Sequence, residues 1–194
     1  MELSATSEFA ELKEPVRADV AALDDFEALV RLYRAKVYRF ALASLRDADA
    51  AETVTQDCFL RAYRARQGFR EDCSVHTWLM QIAVNLIRDH ARNRRLQFWK
   101  RASRYSQPAA GAGRAMVDRA PCPETRALLQ ERVAAIWSAA ERLPEKQRSV
   151  FLLRFVEDMD LLEIARATGM KEGTVKSHLH RALRAVRERI GENA

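Results

Sequence analysis

Residues 160–190 constrain this chain more than any other stretch: DLLEIARATG, a short turn, then GTVKSHLHRALRAVRERI. Asp160 is placed to cap a first helix, and Glu163, three residues on, to complete a capping box. Leu161, Ile164 and Ala165 supply its apolar stripe. Gly169 follows, the residue that takes the left-handed backbone at a helix end with least strain. The second helix sets Val175, Leu179, Leu183, Val186 and Ile190 at intervals of three and four on one face. Lys176, Ser177, His180, Arg181, Arg184 and Arg187 occupy the other. Between Lys171 and Arg189 six basic residues stand against two acidic ones. A short helix, a glycine turn and a basic helix make a helix-turn-helix pattern suited to a DNA major groove. A basic amphipathic helix taken alone is more often the solvated face of an all-α bundle.

Charge and composition narrow the choice. The 194 residues suffice for one ordinary domain or two small ones, and 48% are apolar, enough for a packed core. Long alternating Val/Ile/Thr runs are missing and glycine numbers only 6, so the chain reads as all-α. The net charge of +6 suits a polyanionic partner. Its distribution says more than its total. Glu2 to Glu27 holds eight acidic and two basic residues, whereas Arg88 to Arg104 holds seven basic residues and only Asp89. Cys58, Cys73 and Cys122 form no pairing pattern, and no signal peptide or membrane-length apolar run is present, which points to free thiols in a reducing cytoplasm. Cys73, His76 and His90 have a metal-like spacing but no second pair to complete a zinc set, so no metal and no cofactor is expected.

Taken in order, residues 1–18 form an acidic leader interrupted by Pro15. A helix over about 19–45 turns Phe26, Leu29, Val30, Tyr33, Val37, Phe40 and Ala41 inward. A second, about 50–66, buries Val54, Cys58, Phe59 and Ala62 and shows Glu52, Thr53, Gln56 and Asp57 outward. That face is either ordinary N-terminal helix acidity or a dock for a basic partner. Ser74 caps a third helix, about 75–95, with Trp78, Leu79, Ile82, Ala83 and Leu86 inward and Asn85, Arg88, Asp89, Arg92 and Arg95 outward. The basic stripe favours phosphate contacts. Phe98 and Trp99, set among Arg and Lys, suit either base stacking or closure of the core. Residues 105–123, small and rich in Pro and Gly, read as a flexible linker. Beyond it come a helix over about 124–142 burying Leu128, Val133, Ile136, Trp137 and Ala140, and one over about 145–156 carrying Val150, Phe151, Leu153 and Phe155. The helix-turn-helix completes this second unit. The chain is thus divided into a leader (1–18), a first helical domain (19–104), a linker (105–123) and a second helical domain (124–194).

The stretch LPEKQRSVFLLRFVEDMDLLEIARATGMKEGTVKSHLHRALRAVRE resembles the C-terminal domain of bacterial sigma factors of the extracytoplasmic-function subgroup. AETVTQDCFLRAYR resembles that family's core-binding helix, and TWLMQIAVNLIRDHARNRR its helix that melts the promoter and reads the minus-ten element. The resemblance implies that Glu52, Thr53, Gln56 and Asp57 meet the coiled coil of the largest polymerase subunit, with a further contact to the polymerase flap. It implies minus-ten contacts by Arg66, Arg70, Ser74, Asn85, Arg88, Asp89, Arg92 and Arg95. Minus-thirty-five contacts fall to Lys171, Thr174, Lys176, Ser177, His178, Arg181 and Arg184. Two positions depart from the family's pattern. An acidic residue is usual where this chain has Thr53, and Arg is common where it has His178; arginine can grip guanine with two hydrogen bonds and histidine cannot.

On this reading the chain is a cytoplasmic, non-catalytic promoter-specificity subunit. Its partners are core RNA polymerase, promoter DNA and an anti-sigma protein, with no membrane insertion and no small-molecule substrate. The alternatives are an autonomous helix-turn-helix repressor or activator, which would need a sensor pocket or dimer face, and a nuclease using Glu157, Asp158 and Asp160 to hold magnesium.

Overall fold

The computed structural model describes residues 25–70, 72–102 and 133–191, and the regular structure within them is helical throughout. The acidic leader, the linker, Cys122, Leu128 and the start of the helix expected at 124–142 lie outside the described residues.

Helix α1, Phe26–Leu45, begins where the Asp25 carboxylate accepts from the Ala28 N–H at 3.0 Å. It stops at Arg46, whose left-handed backbone (φ 57°) lets its N–H reach the Leu42 carbonyl. Asp47 immediately caps helix α2, Ala48–Ala65, so two residues reverse the chain. Helix α3, Val75–Ala102, starts where the Ser74 hydroxyl accepts from the Thr77 N–H at 3.1 Å. Leu29, Val37 and Phe40 of α1, Val54, Cys58 and Ala62 of α2, and Leu79 and Ala83 of α3 are at most 3% exposed and form the first core. Each large apolar side chain so placed contributes about 1.5–3 kcal/mol relative to exposure.

The second unit comprises α4 (133–141), α5 (Glu145–Phe155), α6 (Leu161–Thr168) and α7 (Glu172–Gly191). Leu143, Val150, Leu153, Ile164, Val175 and Ala182 are buried at its centre. Both halves of the expected capping box form: the Asp160 carboxylate accepts from the Glu163 N–H at 2.7 Å, and the Glu163 carboxylate accepts from the Asp160 N–H at 2.9 Å. Gly169 adopts φ 70°, as the turn requires.

Several expectations need correction. Helix α3 continues past residue 95 to Ala102, because no proline or glycine interrupts it there. Val133, Ile136 and Phe155 are not buried; they are 43%, 37% and 55% exposed and line an apolar groove with Trp137, Phe151 and Leu183. Their periodic spacing fixes a face, but among the described residues no element covers it. Conversely Met80, Val84 and Ile87, absent from the expected inward set of α3, are buried. At 100° per residue they lie beside the Leu79–Ala83–Leu86 stripe, and this second face packs along α6. The buried side chains of the two helical units form one continuous cluster.

Candidate nucleic-acid interface

Three surfaces gather the residues singled out in the sequence. On α7 and the turn before it, Lys171, Thr174, Lys176, Ser177, Arg181 and Arg184 are all exposed. Lys176 pairs with Glu172 and Arg184 with Glu188, both at 2.7 Å and both i,i+4. Such exposed pairs contribute about 0–1 kcal/mol, so a phosphate can displace them at little cost. Ser177 spends its hydroxyl on the Gly173 carbonyl at 2.9 Å. His178 differs from the rest of the row. It is half-buried, and its Nδ1 is shielded without a hydrogen-bond partner among the described residues.

On α3, Asn85, Arg88, Asp89 and Arg92 fall at i, i+3, i+4 and i+7, one stripe opposite the core. Arg92 pairs with Asp89 at 3.2 Å. Arg88 sits at the edge of the stripe nearest α6 and donates to the Thr168 carbonyl at 3.4 Å. The Arg95 side chain lies outside the described ones. Before α3, the Arg66 guanidinium stacks 3.7 Å over the Tyr63 ring, and Arg70 is exposed. Ser74 is held by α3 itself, through both the Thr77 N–H and the Thr77 hydroxyl.

On α2, Thr53, Gln56 and Asp57 are exposed on one face with the half-buried Glu52. Arg34, donating at 2.7 Å, and Gln56, donating at 3.2 Å, hold the Glu52 carboxyl below its ordinary value. The Thr53 hydroxyl donates to the Asp49 carbonyl at 2.8 Å, and Asp57 is exposed. The carboxylates weighed for a nuclease do not converge. Glu157 is buried against Arg39 and His76, Asp160 serves the capping box, and Asp158 occupies a left-handed turn (φ 53°). His76, once weighed with Cys73 and His90, stacks on Tyr33. The residues that sequence reasoning missed are Arg39, Thr77 and Glu163 in their cross-unit roles, for which no local signal exists. No helix among the described residues is long and apolar enough to cross a membrane.

Residues 29–97 match the family described as Sigma-70 region 2, and residues 134–186 match Sigma-70, region 4. The chain is 32% identical over 163 residues to the RNA polymerase sigma-H factor of Pseudomonas aeruginosa, covering 83% of each chain. It is 28% identical to the ECF RNA polymerase sigma factor SigW of Bacillus subtilis, covering 86% of this chain and 89% of that one. In fold it is similar to the sigma factor RpoE of Bartonella quintana, solved with the anti-sigma factor NepR. That likeness has a TM-score of 0.69 at 20% identity over 86% of this chain and 97% of that chain. It is also similar to CnrH, solved with the cytosolic domain of CnrY, with a TM-score of 0.62 at 20% identity over 92% and 99% of the two chains. With both regions matched in this order and a relative aligned over most of its length, the chain belongs to the extracytoplasmic-function sigma factors, promoter-recognising subunits of RNA polymerase.

Proposed function

We propose a division of labour among the three surfaces. The α2 face of Glu52, Gln56 and Asp57 docks on core polymerase, presenting acid from an otherwise basic chain. The loop before α3 and the stripe Asn85, Arg88, Asp89 and Arg92 engage the minus-ten element, where captured bases leave the stack and cost a few kcal/mol each. Helix α7 enters the major groove at the minus-thirty-five element, with Lys176, Ser177 and Arg181 foremost. An anti-sigma protein or the polymerase flap covers the apolar groove beside Phe155 and Ile136, where large apolar side chains otherwise face water.

The observation that carries this reading is the separation of an acidic docking face from two basic faces, each on its own helix. An autonomous repressor has no use for the first. The test is transcription with purified core polymerase. Arg181→Ala is expected to weaken promoter binding by the duplex-reading unit and leave core assembly intact, whereas Asp57→Lys is expected to do the reverse. Equal damage by both at the same step would end the proposal.

A further inference from the structure

An apolar groove on the second unit is filled by no described element. Ile136 and Trp137 of α4, Phe151 and Phe155 of α5, and Leu183 and Val186 of α7 line it. Phe155 is 55% exposed and Ile136 37%, although their spacing is that of core residues. Large apolar side chains gathered in this way mark a docking surface. Its border is basic. Arg187 lies four residues from Leu183, at the edge of the apolar stripe of α7, and is exposed without an ion pair among the described residues. Arg154 adjoins Phe155 and donates to the Met159 carbonyl at 2.9 Å.

An occupant that fits is apolar and acidic. Residues 1–24 of the chain meet that description, with six acidic residues against two basic ones. They fall outside both family matches. Within them Phe9 and Leu12, three residues apart, alternate with Glu8, Glu11 and Glu14. Two apolar anchors at helical spacing, flanked by acid, make the pattern of a segment that enters a groove with a basic border. The linker is a poorer match, because residues 103–132 carry five basic residues against three acidic ones.

Reach decides which part of the leader can arrive. Arg39 stands on α1 about 21 Å from Asp25 at 1.5 Å per residue. It bonds Glu157, the neighbour in sequence of the groove residue Val156. Crossing α5 adds about 10 Å. Residues 13–24, when extended, span up to roughly 42 Å. Phe9 and Leu12 can therefore reach the groove, whereas Leu23, close to Asp25 in sequence, cannot. The tether also supplies an effective concentration on the order of millimolar, so even a weak contact stays occupied.

We propose that Phe9 and Leu12 seat in the groove between α4, α5 and α7 of the same chain, with Glu8 and Glu11 facing Arg154 and Arg187. The leader is thus an internal ligand, and any outside partner of this groove competes with it. The docking does not depend on the promoter roles proposed above.

The test uses the full chain with the photoreactive residue benzoylphenylalanine in place of Phe9, irradiated in dilute solution and mapped by mass spectrometry. Cross-links to groove residues within a chain of monomeric mass are expected. Their yield is expected to fall about tenfold on Phe155→Asp, which exchanges an apolar contact for a charge that repels Glu8 and Glu11. Phe155 is more than half exposed, so this change removes little of the core. Val133→Asp, at a position 43% exposed, is expected to act in the same direction. In the unlabelled protein, Phe9→Ser combined with Leu12→Ser is expected to speed hydrogen exchange over residues 151–156. Cross-links between two copies would assign the groove to a dimer and overturn the proposal. Cross-links confined to the first unit or to the DNA-facing row of α7, their complete absence, a yield indifferent to both Asp variants, or unchanged exchange overturns it equally.

Discussion

Thr77 of α3 donates its hydroxyl to Glu163 of α6 across 3.2 Å, although 86 residues separate them in sequence. The same glutamate closes the capping box through its other oxygen. One carboxylate thus starts a helix and joins two units. Glu163→Ala removes both bonds and is expected to cost about 1–2 kcal/mol. Glu163→Gln keeps one oxygen for the Asp160 N–H and is expected to lose less than half of that. Urea unfolding of the two variants checks this; equal losses would show that the cap contributes nothing.

His178 offers a test of specificity. Replacing it with Arg, the residue common in the family, introduces a forked donor at a half-buried position from which a long side chain can extend to the groove. His178→Arg is expected to gain about 1–3 kcal/mol of preference for guanine at one base pair of the minus-thirty-five element. Selection from a randomised element library reads this directly, and an unchanged preference would place His178 outside the groove.

Gly169 isolates a backbone effect. A Cβ there meets nothing within 4 Å, but φ is +70°. Gly169→Ala is therefore expected to cost about 1 kcal/mol, all of it backbone strain with no clash. A loss of several kcal/mol in thermal or urea unfolding would reveal a rearranged turn.

Cys58 makes a pH prediction. Burial pushes its thiol up to about 12 from the ordinary value of 9.0. Because the folded protein holds this proton more tightly than the unfolded chain, the contribution is fully present below pH 9. It is lost as pH rises from about 9 to about 12. Wild type is expected to lose stability across that window more steeply than Cys58→Ala, measured by urea unfolding at a series of pH values. The native thiol should also resist alkylation near pH 8, where the half-buried Cys73 reacts before it.

Much of the fold is legible in local sequence. The stripes of α1 and α2, the caps at Ser74 and Asp160, and the stop at Gly169 each depend on residues within one or two turns of one another. Their geometry follows from the spacing. The candidate surfaces are legible for the same reason, since exposed rows on single helices are set by periodicity. What could not be read were events between distant segments. Met80, Val84 and Ile87 look like surplus apolar residues until α6 covers them. Val133, Ile136 and Phe155 look like core until no described element does. Glu157 looks like an ordinary turn carboxylate, because nothing near it in sequence announces Arg39 and His76.

The sequence by itself therefore determined the helices, their caps and the exposed acidic and basic faces, all properties of short-range periodicity and charge, and its motifs carried the resemblance to the family. Only the tertiary structure decided that the two units close on each other. It also decided that α3 is buried on two sides, that His178 is half-buried, and that one glutamate is sealed between the units. Contacts across more than 80 residues depend on which surfaces fit together when packed, and that complementarity is not encoded in any local pattern.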